Sequence, residues 1–205
     1  MTPRMTEGFH RPLHLYVTCI LVLATALLCV PLARAADWNL ETLMHALAQR
    51  PAGRATYVET KTMAILNVPI KSSGELRYAA PDLLEMRTLK PRPQTLVVQG
   101  NQVSVEADGR RRQFSLRSHP EVAGLVDGIR ATLNGNLRAL TRDYRVTLEG
   151  DAARWSLTLV PLDATVRARV RQVRIGGREN WVRTIAVQQA DGDHSSLIIQ
   201  QHAMP

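Results

Sequence analysis

The side chains that most often do chemistry are scattered along this chain. Past the first 35 residues the histidines are His45, His119, His194 and His202, and none shares a metal-ligand spacing with another. Asp191-Gly192-Asp193 puts two carboxylates on a turn, but the further oxygen ligands and closing glutamate of a calcium loop are missing, so it reads as a hairpin. Glu75 and Glu85 could pair as acid and base, yet each alternates with apolar neighbours and so belongs to a solvated strand face. There is no G-x-S-x-G elbow, H-E-x-x-H pair, P-loop or dinucleotide fingerprint. Both cysteines, Cys19 and Cys29, lie in an N-terminal apolar run, so the rest of the chain has no thiolate nucleophile and no disulfide. The expectation is a protein with no catalytic residue, no metal site and no cofactor.

The arginines are the more concentrated charges. Arg110, Arg111 and Arg112 follow a turn, and Arg167, Arg169, Arg171 and Arg174 share one strand-like run. They could dock an anionic lipid surface or an acidic partner, or simply solvate strand faces and discourage edge pairing.

The N-terminus carries Arg4 and Arg11, an apolar run from Leu13 to Val30, Pro31, and then Ala33-Arg34-Ala35 as an A-x-A site. That is the layout of a secretory signal peptide cut after Ala35, giving a signal at 1–35 and one domain at 36–205. The 205-residue chain holds 26 basic and 18 acidic residues, of which the signal takes Arg4, Arg11, Arg34 and Glu7; the exported part is left at +6. Outside the cytoplasm a basic domain meets anionic membrane or acidic protein rather than nucleic acid.

Two helices and a long series of strands must position whatever this domain binds. Asp37 is placed to cap a helix starting at Trp38, with an apolar stripe of Leu40, Leu43, Met44 and Leu47. Ser118-His119-Pro120-Glu121 reads as a capping box for a second helix over His119 to Leu133, whose stripe is Val122, Leu125, Val126, Ile129 and Leu133. Strands are expected over Ala55–Leu66, Ile70–Tyr78, Leu83–Leu89, Thr95–Gln99 and the segments after Asn101 and Asp108, with Gly74 marking a bulge or a bend. More strands follow from Tyr144 onward, with turns at Gly150-Asp151, Gly176-Gly177 and Asp191-Gly192 and a loop over Pro161–Thr165. The class is α+β, with nine to eleven antiparallel strands and two main helices. The inward face is aliphatic, built on Leu76, Leu84, Met86, Leu96 and Val98 with Tyr78 and Phe114. Such a face can be filled core, or the lining of an acyl-chain cavity.

The order of motifs resembles the periplasmic outer-membrane lipoprotein carriers, the LolA-like proteins. The matching residues are Ser73, Gly74, Leu76, Pro81, Pro91 and Gly100, then Trp155, Leu157, Leu159 and Pro161, then Asp191-Gly192. The resemblance implies an unclosed antiparallel half-barrel with helices as a lid, located in the periplasm and free of covalent chemistry. It implies a cavity for acyl chains of lipoproteins or another lipid, lined by Leu76, Tyr78, Leu84, Met86, Leu96, Val98 and Phe114. The lid would be Val122, Leu125, Val126, Ile129 and Leu133. The implied partners are an inner-membrane releasing complex or lipid exporter and an outer-membrane receptor, met by a monomer. In that family an arginine directly before the first proline helps latch the lid; here that position is Ala80, and whether Arg77 or Arg87 replaces it is left open by the sequence. The other expectation is a docking subunit with a filled core that binds a membrane partner through its arginine-rich face.

Overall fold

The computed structural model describes residues 38–65 and 68–201. The proposed signal at 1–35, the cap expected at Asp37, the end of the first expected strand at Leu66, and His202 lie outside the described residues. The chain runs α1 (Leu40–Ala48), β1 (Ala52–Thr62), β2 (Ile70–Ala79), β3 (Leu83–Lys90), β4 (Gln94–Gln99), β5 (Gln102–Ala107) and β6 (Arg110–Ser115). It continues through α2 (Pro120–Leu133), α3 (Leu137–Asp143), β7 (Tyr144–Asp151), β8 (Arg154–Pro161), α4 (Ala164–Arg167), β9 (Val170–Arg178), β10 (Trp181–Gln189) and β11 (His194–Gln201). The eleven described strands form one antiparallel sheet in the order β6-β5-β4-β3-β2-β1-β11-β10-β9-β8-β7, with β6 and β7 as free edges. The sheet is thus not closed into a barrel. Two helices are joined by two short ones, α3 and α4, and none of the four is long and apolar enough to cross a membrane.

Turn chemistry sets the hairpins. Asp108 and Gly109 both take positive φ (52° and 70°), the geometry of the tight turn that joins β5 to β6. Helix α2 ends at Asn134-Gly135-Asn136: Gly135 sits at φ 63°, and the Asn136 N–H reaches back to the Ala131 carbonyl at 2.8 Å. Gly74 is a bulge. Pairing slips there from Ser73↔Lys90 to Gly74↔Thr88, leaving Leu89 unmatched.

Several local readings are corrected. Helix α1 starts at Leu40 and is capped by Asn39, whose side chain accepts from the Thr42 N–H at 2.9 Å. Ser118 belongs to a short 3₁₀ turn; the residue before α2 is His119, which makes no side-chain cap, while Pro120 takes the first helical position. The loop expected over Pro161–Thr165 contains the start of α4, which Asp163 caps through the Thr165 and Val166 amides. Gly150-Asp151 and Gly176-Gly177 are strand, not turn. The chain turns instead after Asp151, whose carboxylate accepts from Ala153 and Arg154, and after Arg178. Glycine is needed at 177 because a side chain would lie 2.4 Å from the Trp155 ring. The arginine run does not share one strand: Arg167 closes α4, and only Arg171 and Arg174 lie in β9.

The core is divided in two. One cluster joins α1 (Leu43, Met44, Leu47) to the C-terminal strands through Trp155, Leu157, Leu159, Val173 and Ile175, all nearly inaccessible. A second, smaller cluster joins α2 to the N-terminal strands through Val98, Val103, Leu116 and Val126.

Candidate binding cavity

Strand alternation puts every second residue of β2 to β6 on the concave face. Cross-strand register then aligns them in rows, Tyr78–Leu84–Val98–Val103–Phe114 and Leu76–Met86–Leu96–Val105. Between these rows and α2 lies a cavity of about 460 Å³. All seven candidate lining residues, Leu76, Tyr78, Leu84, Met86, Leu96, Val98 and Phe114, border it. So do all five residues of the α2 stripe, Val122, Leu125, Val126, Ile129 and Leu133. The space continues past them to a wall the sequence reading did not assign: Val182, Ile185, Val187, Leu197 and Ile199 of β10 and β11. The alternation of Ile185 with Val187 and of Leu197 with Ile199 was the available signal; what it lacked was the knowledge that β11 pairs with β1 and so continues the same concave face.

Helix α2 is fastened on both flanks. On one, Gly124 and Gly128 let it approach closely, because a side chain at 124 would lie 2.6 Å from Val166 and one at 128 would lie 2.8 Å from the Tyr144 ring. The Tyr144 hydroxyl donates to the Gly124 carbonyl. On the other flank Arg130 donates to the Gly100 carbonyl at 2.8 Å and to the Asp82 carbonyl, with Asp127 at 3.9 Å. Asn134 adds a bond from its Nδ2 to the Pro81 carbonyl at 2.8 Å and accepts from the Tyr78 hydroxyl at 2.5 Å. Helix α2 thus grips main-chain carbonyls of two turns through its own side chains. Neither Arg77 nor Arg87 takes that part. They pair with Glu85 at 3.6 Å and Glu75 at 4.0 Å, and Ala80 is exposed. Burial raises the Asp127 carboxyl above its ordinary range, against the pull of Arg130.

The sequence profile of the family described as outer membrane lipoprotein carrier protein LolA-like matches residues 30–204. The chain belongs to this family. No curated protein sequence matches it. Among solved structures the LolA-like chain is similar to a LolA superfamily protein of Nitrosomonas europaea, at 13% identity and TM-score 0.42, covering 83% of this chain and 96% of the other. It is also similar to a DUF1329 family protein of Desulfovibrio piger, at 11% identity and TM-score 0.43, covering 81% and 92%. A third is the Mycobacterium tuberculosis lipoprotein LppX, at 10% identity and TM-score 0.41, covering 81% and 96%.

Among the described residues no three histidine, cysteine, aspartate or glutamate side chains converge as a metal site would require. His119 lies 3.5 Å from Glu121 and packs edge-on against Phe114. The most displaced titration belongs to Tyr144. Burial pushes its phenol up, and the Asp127 and Asp143 carboxylates add to the push. An unfolded tyrosine ionises near pH 10. The folded state keeps the proton longer, so this contribution is complete below about pH 10 and is lost as pH rises further. Thermal melts at pH 8 and pH 11 are expected to differ less in Tyr144→Phe than in the parent protein. An undiminished difference would assign the alkaline loss to other groups.

Proposed function

We propose that this protein is a periplasmic carrier that holds acyl chains of lipoproteins or another lipid non-covalently and shuttles them toward the outer membrane. The observation that carries this reading is the apolar cavity under α2. Its 460 Å³ falls within the roughly 300–1,000 Å³ typical of small-molecule sites. Its walls are mainly flexible aliphatic side chains, which follow a bent chain better than they stack on a flat ring. Family membership supports the same reading. A docking subunit with a filled core has no use for such a space. On this proposal the protein takes its load from an inner-membrane releasing complex or lipid exporter, gives it to an outer-membrane receptor, and needs no catalytic group.

The test is native mass spectrometry of the exported domain purified from cells, followed by lipid extraction and titration with a fluorescent fatty acid. Ile129→Asp sharpens it. Ile129 borders the cavity but belongs to neither packed cluster. A carboxylate there is expected to weaken fatty-acid uptake about tenfold or more, because the charge must be desolvated when a chain enters. The thermal midpoint is expected to move far less. Equal losses of uptake and stability would make Ile129 an ordinary core residue, and a domain that never takes up lipid would sink the carrier.

A further inference from the structure

Of the charged side chains that border the cavity, Arg50, Arg54 and Glu59 have no ion-pair partner among the described residues, and of these Arg50 is the one that lies on an aromatic ring. Arg50 follows α1 directly, its N–H bonded to the Leu47 carbonyl at 3.0 Å, and Pro51 then turns the chain into β1. Its guanidinium carbon lies 3.1 Å from the centroid of the Trp181 ring. Both residues border the cavity, with Asn180 beside them. Among the described residues the guanidinium makes no hydrogen bond and has no carboxylate in ion-pair range. Arg77, Arg87, Arg130, Arg142 and Arg178 all do. Partial burial lowers the Arg50 pKa from its ordinary value.

Stacking on an indole uses the face of a guanidinium and leaves its edge free. That edge carries five N–H donors in a fork that matches the oxygens of a carboxylate or phosphate. We infer that the Arg50–Trp181 corner receives the anionic head group, a carboxylate or a phosphate, of an amphiphile whose tail lies along the aliphatic wall. The inference rests on the carrier reading and adds the class of its load. The wall also has a direction. Glu59 borders the same cavity farther along β1, seven residues beyond Ala52, or roughly 20 Å at strand rise, and is held by the Ser72 hydroxyl at 3.0 Å. A carboxylate at that end repels an anion and favours the tail there, while Arg50 attracts the head at the other.

The experiment compares oleate with oleyl alcohol at pH 8, each displacing a neutral environment-sensitive dye from the exported domain. Oleate is expected to bind about tenfold or more tightly than the alcohol, the effect of a charge-assisted pair out of bulk water. Arg50→Gln is expected to bring the acid-to-alcohol ratio to about one, and Arg50→Lys to restore part of it. A parent ratio near one overturns the inference while leaving the carrier intact. So does a ratio that Arg50→Gln leaves unchanged. Displacement by acetate or inorganic phosphate as strong as by oleate also overturns it, since the site would then read an ion without a chain. Uptake of neither oleyl compound overturns both this inference and the carrier reading.

Discussion

Arg130→Ala is expected to lower the thermal midpoint by about 6–12 °C, the equivalent of about 3 kcal/mol in a domain of this size. Arg130 is buried to 9% exposure, and its two bonds hold the carbonyls of Gly100 and Asp82, on two different turns, to one helix. Alanine leaves Asp127 without its partner and removes the strap over one flank of α2. The Gly124–Gly128 flank stays in place, so the helix is expected to swing rather than detach. Binding of an apolar dye without added lipid is therefore expected to rise with the loss of stability. Arg130→Lys is expected to recover only part, because an ammonium cannot fork to two carbonyls held by separate turns. The Arg130 Nε is buried without a partner, so the strap is incompletely compensated. A midpoint within about 2 °C of the parent would show that the strap holds nothing.

Gly74→Ala is expected to cost at least as much, about 3 kcal/mol or more. A methyl group at 74 would lie 1.9 Å from the Arg87 carbonyl oxygen, and main chain cannot turn aside as a side chain can. The site is the bulge where β2 and β3 slip register, so relief requires β3 to move, and the Tyr78–Leu84 row of the cavity wall moves with it. Gly53→Ala is the control. It lies in β1 with nothing within 4 Å of the added carbon, and its melt is expected to stay within about 2 °C of the parent. A Gly74→Ala protein that melts like the control would mean the bulge absorbs a side chain after all.

What the sequence made legible was whatever repeats with a fixed period. The alternation through β2 and the stripe through α2 gave the face of each residue, and hence the N-terminal wall and the lid. The far wall was missed because a contact between β1 and β11 spans most of the chain, and no local pattern reports it. The strap was missed for a different reason. Arg130 follows Ile129 on α2 and reads as an ordinary polar neighbour, while its partners are backbone carbonyls that leave no mark on residue type. Position 80 was the expected place only through the family resemblance. In β9 simple alternation fails for a physical reason: β9 and β10 pair Gln188↔Gln172 and then Gln189↔Val170, so a bulge at Arg171 turns both Val170 and Val173 inward. Capping of α1 falls two residues later than the expected Asp37, because Asn39 offers the amide oxygen that accepts from the Thr42 N–H.

The division of the core has an evolutionary consequence. Trp155, Leu157, Leu159 and Ile175, which hold α1 to the C-terminal strands, do not border the cavity. Among the residues that do border it on the N-terminal strands, Leu76, Leu84, Met86 and Leu96 are only partly buried. Mutation can thus remodel the inner contour on the N-terminal side while the tightly packed half keeps the protein folded. Lineages sharing this architecture are free to diverge in what they hold long before they lose the means of holding it.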